Sequence, residues 1–378
     1  MHAAGFTTAF GAHAVAANLG VYTAARHGSL LTLGILLALY DGAEVILKPV
    51  FGAVADRLGG KPVLIGGLLA FAAASGGFLL AASPAALFAA RLGQGAAAAA
   101  FSPAAAMLIA RLAPKGRGRA FGSYGAWKGL GYTLGPLLGS ALVALGGYGV
   151  LFAVLAALGL AVAGWALLAV PAAPPLPRHR QTIAALTRRL SAPAFLGPTA
   201  ALAGATAALS TGVGFLPVLG HRAGLGPLAT GAAVSLLAAT AAVIQPRAGR
   251  AHDTGRLAAR TGLGAGLAAC AAGLAMAAFV PGLPGLLGAA VTIGIGTALI
   301  APLGFAVLAA GAPEGRLGQT MGAAEVGREL GDAGGPLLVG VIAAATLTGG
   351  LAALAALLAL GAGATITRRD WNNNRTLP

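Results

Sequence analysis

The sequence predicts an all-α membrane protein of twelve transmembrane helices arranged as two pseudo-symmetric six-helix bundles. Three observations carry that prediction. The 378 residues are 58% hydrophobic and only 9% charged, against about 25% charged in an average soluble domain, so water is not the main solvent. Twelve stretches reach the roughly 20 apolar residues that cross a bilayer. The second six repeat motifs of the first. The 61 glycines would weaken a soluble fold, but they suit helices packed backbone to backbone in lipid.

In order, the spans run near 4–25, 30–53, 62–82, 85–110, 119–145, 148–170, 194–219, 227–247, 259–280, 285–310, 319–345 and 349–367. Connections as short as Ser83-Pro84 and Gly146-Gly147 make neighbouring spans antiparallel hairpins. The expected organisation is an N-terminal bundle over 1–170, a linker over 171–192, a C-terminal bundle over 193–367 and a tail over 368–378. In the proline- and arginine-rich linker, Thr182 to Leu190 reads either as a short amphipathic helix on an anionic leaflet or as a solvated loop.

A formal charge of +15 raises nucleic-acid binding as a function class, and the placement of the charge excludes it. With the N-terminus inside, eighteen basic residues fall in cytoplasmic segments, among them Arg57, Lys61, Arg111, Arg178, Arg180, Arg188, Arg250, Arg316, Arg368, Arg369 and Arg375. Only Arg26 and Arg222 fall outside. Such asymmetry sets membrane orientation, so both termini are expected in the cytoplasm, in the cell membrane. The start, Met1 to Phe6, lacks the basic region of a cleavable signal. The single cysteine, Cys270, forms no intrachain disulfide and reads as a small buried hydrophobe.

At an offset of 200, Gly118, Gly122, Gly131, Gly135, Pro136, Leu137 and Leu138 match Gly318, Gly322, Gly331, Gly335, Pro336, Leu337 and Leu338, with Lys128 and Arg328 in register. At an offset of 197, Pro49, Gly52 and Asp56 match Pro246, Gly249 and Asp253. Transporters commonly place their substrate at the interface of such repeats.

Three motifs resemble those of the major facilitator superfamily, in its twelve-span drug:proton antiporter branch, and the resemblance covers nearly the whole chain. The stretch Gly52, Asp56, Arg57, Gly59, Gly60, Lys61 is similar to the family's loop signature, with Gly60 where a basic residue is usual. Its glycines are expected to make a tight turn, and Asp56 to accept hydrogen bonds from a neighbouring helix N-terminus. The resemblance implies a cytoplasmic gate built on Asp56, Arg57 and Lys61. In the fourth span, Arg91, Gln94 and Gly95 resemble an element associated with proton transfer. An intramembrane arginine costs about 2.5–3.5 kcal/mol or more, so Arg91 needs a polar partner, unless it snorkels to the nearby interface. In the fifth span, Gly122, Gly131, Gly135, Pro136 and Gly139 resemble the antiporter signature, with Ser140 in place of its last glycine. They offer a smooth, kinkable face for another helix.

Intramembrane ionisable residues are functional candidates. Here they are Asp41, Glu44 and Lys48 in the second span, Arg91 in the fourth, Lys128 in the fifth, and Glu325, Arg328, Glu329 and Asp332 in the eleventh. Within the second and eleventh spans they are spaced at helical intervals and line one face each. In the resembled fold these two spans pack together. Depth then suggests pairing Lys48 with Glu325 and Glu44 with Arg328, which leaves Asp41, Glu329 and Asp332 to titrate. Lys128 either binds an anionic substrate or reaches an acid elsewhere. With it, His13, Asn18, Gln94, Trp127, Tyr132, Phe215 and Arg328 are candidate cavity residues.

The resulting expectation is a secondary transporter that exports a small organic compound in exchange for protons by alternating access. An uptake symporter for a small solute, an anionic one included, and a non-transporting sensor are the alternatives. No GxxxxGK[ST] phosphate loop, HExxH pair or cysteine-histidine cluster occurs in the sequence. The chain is therefore expected to be no enzyme, to need no cofactor or metal, to bind no nucleic acid, and to act as a monomer in the bilayer with protons and a small molecule as its partners.

Overall fold

The computed structural model describes residues 1–24, 30–81, 83–175, 183–225, 227–343 and 345–367. Arg26, Arg178, Arg180, Arg368, Arg369, Arg375, the linker residues 176–182 and the tail 368–378 lie outside the described residues. The described part is helical and contains no strand. In chain order the helices are α1 (His2–Ala24), α2 (Leu30–Leu58), α3 (Gly60–Leu80), α4 (Pro84–Leu112), α5 (Arg117–Ala169), α6 (Ile183–Leu190), α7 (Pro193–Arg222), α8 (Pro227–Asp253), α9 (Ala259–Phe279), α10 (Gly282–Ala310), α11 (Leu317–Ala343) and α12 (Leu347–Thr367).

At 53 residues, α5 would span roughly 80 Å as one rod, far more than the roughly 30 Å of hydrocarbon. It is broken at Gly146 and Gly147, the latter at φ 74°, a left-handed conformation that glycine adopts without a Cβ penalty. The break separates an arm over 117–145 from one over 148–169, so α5 supplies the fifth and sixth spans. The eight-residue α6 lies in the linker. The remaining helices follow the predicted spans within a few residues. Prolines open α4, α7 and α8, where the missing amide proton is no loss.

Eight of the described helices are long and apolar enough to cross a membrane. Helix α11 is not among them, because Glu325, Arg328, Glu329 and Asp332 interrupt it. Of the eight, α4 and α10 are the most enclosed. They occupy the same place in the two repeats, the fourth span of each six.

The chain forms two compact units. The first comprises Met1–Leu112, Trp127–Arg178 and Ala312–Val326; the second comprises Ala113–Ala126, His179–Gly311 and Gly327–Pro378. In the first, α4 packs between α2 and α3. Its buried run from Ala97 to Ala110 is rich in alanine, interspersed with Phe101, Ser102, Pro103, Met107, Leu108 and Ile109, and Gly95 lies against the backbone of Tyr40. In the second, α10 packs against α7, α8 and α9. The first part of α11 thus belongs with α2, and the first part of α5 with α8.

Candidate functional site

The gate motif lies differently from its sequence reading. Gly52 and Asp56 are inside α2, which continues to Leu58, and of the motif's glycines only Gly59, at φ 91°, turns the chain into α3. Gly52 serves close approach instead: a Cβ there would overlap the carbonyl of Gly318, and one on Gly322 that of Lys48. With α11 so near, the buried Asp56 carboxylate accepts hydrogen bonds from the Gly318 and Gln319 amides at 2.7 and 2.8 Å. Unpaired first-turn amides and the helix dipole both favour an anion there. Arg57 is exposed in the last turn of α2, and Lys61 is half-buried in the first turn of α3.

The second unit repeats this arrangement. Asp253, at the end of α8, accepts from the Gly118 and Arg119 amides of α5, both at 2.8 Å. Gly249 meets Gly118, and Gly122 meets the backbone of Gln245. Asp253 was not among the sequence-derived site residues. Its signal was present in the 197-residue offset that pairs it with Asp56, and it became legible only once α5 and α8 were seen together.

Deeper in the first unit, Lys48 Nζ lies 3.2 Å from Glu44 Oε2 and 3.7 Å from Glu325 Oε2. Lys128 Nζ lies 3.8 Å from the same Glu325 oxygen. The Lys48 side chain is fully excluded from solvent, that of Glu325 nearly so, and that of Lys128 is 13% exposed. Lys128 thus reaches an acid, Glu325. Lys48 and Glu325 are together, as helix depth suggested. Glu44 is held by Lys48 on its own helix, and Arg328 pairs with its neighbour Glu329. Asp41 is exposed, and Asp332 is half-buried.

Arg91 does not snorkel. It is 2% exposed and points into protein. Its Nε donates to the Leu36 carbonyl at 3.3 Å, its Nη1 donates to Gln94 Oε1 at 3.2 Å, and the Tyr40 ring centroid lies 4.3 Å from Cζ. Gln94 in turn donates to Ser75 Oγ at 3.0 Å. A guanidinium's five donors and flat face suit it to such a dry site.

The antiporter-like glycines form a packing surface. Carbon added at Gly131, Gly135 or Gly139 would press into α1 at Phe6, His13 and Ala14 respectively, so the first arm of α5 rests on the α1 backbone. Asn18 donates to the Ala14 carbonyl and accepts from Ser140 Oγ at 3.2 Å. The hydroxyl that replaces the last glycine thus ties the helices together. His13 bonds the Ala9 carbonyl of its own helix and meets the Tyr132 ring edge-on at 4.3 Å. Trp127 is 48% exposed, and Phe215 is half-buried. In the second unit, Gly331 and Gly335 of α11 similarly rest on Ala203 and Ala207 of α7. There Thr206 and Ser210 donate to the Arg328 and Asp332 carbonyls at 2.7 and 2.8 Å.

The sequence profile described as Major Facilitator Superfamily matches residues 1–336. The tetracycline resistance protein, class B, of Escherichia coli is 38% identical over 109 residues, which are 28% of this chain and 26% of that protein. The probable actinorhodin transporter of Streptomyces coelicolor is 37% identical over 35% of this chain and 22% of its own length. The methylenomycin A resistance protein of Bacillus subtilis is 39% identical over 27% and 22%. The matched segments span only about a quarter of these relatives. Among solved structures, the human organic anion transporter MFSD10 (TETRAN) superposes with a TM-score of 0.80 at 19% identity, covering 96% of this chain and 98% of that one. The fucose:proton symporter FucP of E. coli superposes at 0.74 with 16% identity and the same coverage.

Proposed function

The chain belongs to the Major Facilitator Superfamily, and from that premise we propose that it exports a small organic compound in exchange for protons by alternating access. It is a multi-pass membrane transporter, not an enzyme. The observation that carries the export reading is the glycine face of α5, where Gly131, Gly135 and Gly139 rest directly on the α1 backbone. Such a face lets two helices slide and re-pack without side chains to disengage. The names of the relatives, resistance to tetracycline and methylenomycin A among them, agree with export of a drug or metabolite.

In this reading the bundles 1–170 and 193–367 rock about a central substrate. Asp56 and Asp253 hold the first turns of α11 and α5 on the cytoplasmic side, which carries both termini. Protons enter at carboxylates with access to water, namely Asp41, Glu329 and Asp332. Everted vesicles energised with an acid interior should accumulate a fluorescent organic dye and release protons as they do so. Asp41→Asn, Glu329→Gln and Asp332→Asn are tested for proton-driven uptake, and undiminished coupling in all three sinks the carrier assignment. Dye movement in the direction of the proton flow would establish symport instead of exchange.

A further inference from the structure

Glu325 of α11 stands between two ammonium groups. Lys48 Nζ and Lys128 Nζ lie 3.7 and 3.8 Å from a single oxygen of its carboxylate. Both are ion-pair distances, so Glu325 neutralises the pair by proximity. With Glu44 on Lys48, these four groups balance at two positive and two negative charges.

Stability alone is a poor reason to keep such a cluster. Well-packed apolar residues in the place of a buried ion pair are often as stable or more so. The repeat sharpens the point. At the position equivalent to Lys128, Arg328 finds its acid on the next residue, Glu329. The corresponding neighbour of Lys128 is Gly129, and the residue matching Glu325 is Gly125. The first repeat thus presents a lysine whose own helix offers no carboxylate, and the second repeat lends one. Beside it, the Tyr132 ring centroid lies 6.0 Å from Lys128 Nζ, with His13 edge-on against the same ring.

We propose that Lys48 and Lys128 form a subsite for the carboxylate of a small organic anion, and that Glu325 occupies the place of that carboxylate while the subsite is empty. This rests on the reading of the chain as a transporter of small organic compounds and names the class. The ligand is a monoanion, because one carboxylate is what the two ammoniums now share. Its body is aromatic or otherwise flat, to lie against Tyr132. An inside-negative membrane potential favours the outward movement of such an anion.

The probe is radiolabelled benzoate in equilibrium binding to the full chain, purified in lipid nanodiscs, with benzylamine and benzyl alcohol as competitors of the same shape and different charge. Benzoate should bind saturably, and both competitors more weakly by about tenfold or more, since a lost charge-assisted contact is worth that much. Glu325→Gln should bind benzoate more tightly than the unaltered chain, because the internal competitor is gone and one monoanion restores neutrality. Lys128→Gln should lose about tenfold or more, and Lys128→Arg should keep most of the affinity. Thermal unfolding of each variant identifies any that fail to fold, and Lys128→Arg against Lys128→Gln keeps the test informative if Glu325→Gln is one of them. Equal weakening in Glu325→Gln and Lys128→Gln, benzylamine binding as well as benzoate, or no saturable binding in either the unaltered chain or Glu325→Gln would each overturn the subsite. Proton-driven flux of the dye and of radiolabelled benzoate is measured for the same variants in everted vesicles. Intact flux with failed benzoate binding overturns the anion subsite alone, whereas benzoate binding without any flux overturns the transporter reading.

Discussion

Asp56 and Asp253 show how one residue type at a repeated position acquires the same task twice. Each carboxylate accepts two backbone amides at a helix start, where the dipole and the unpaired donors add together. Removing either group should cost about 1–2 kcal/mol. Asp56→Ala and Asp253→Ala should therefore each lower the unfolding temperature of the solubilised protein. Asn should cost less than Ala, because its amide oxygen still accepts. Asp56 was legible from its motif, while Asp253 lay unused in a repeat alignment, because an alignment does not say which helix start a carboxylate faces. Arg91 teaches the reverse lesson. Its position near a helix end left snorkelling open, and burial on Leu36, Tyr40 and Gln94 closed that option. Arg91→Lys keeps the charge but cannot reach the Leu36 carbonyl and Gln94 together. It should be markedly destabilised in thermal unfolding, and Arg91→Leu, which leaves no buried charge to satisfy, should be destabilised less.

At the scale of elements, composition located the helices and glycine spacing located their contact faces. The first arm of α5 meets α1 along Gly131, Gly135 and Gly139, four residues apart on one side of the helix. Overpacking such a seam costs about 1–3 kcal/mol. Gly135→Leu and Gly139→Val should therefore abolish dye flux in vesicles, while Gly129→Ala, where an added carbon meets nothing within 4 Å, should leave it near normal. Gly147 tests a different property. Its φ of 74° is unfavourable for any residue with a Cβ, so Gly147→Ala should lower the unfolding temperature by an amount equivalent to about 1–2 kcal/mol, with little change in flux. Sequence reasoning did misassign one element. It read Gly52 as a turn residue, whereas α2 runs through it to Leu58, because glycine signals both a turn and a close helix contact, and only the neighbour distinguishes them.

For the molecule as a whole, the asymmetry of lysine and arginine predicts that reporters fused to either terminus stay on the cytoplasmic side. A cysteine placed at Arg222 should instead react with an impermeant thiol reagent from outside; labelling from the cytoplasmic side would overturn the orientation. The solvent, the number of crossings and the duplicated plan were determined by the sequence alone. They rest on sums over many residues, namely the scarcity of charge, the apolar length that a bilayer demands, and motifs that recur at constant spacing. The charge partners were decided only by the tertiary structure. Lys128 with Glu325 and Asp253 with the start of α5 join residues well over a hundred positions apart. Coulomb and hydrogen-bond energies depend on separations of a few ångströms, which periodicity along a chain does not specify.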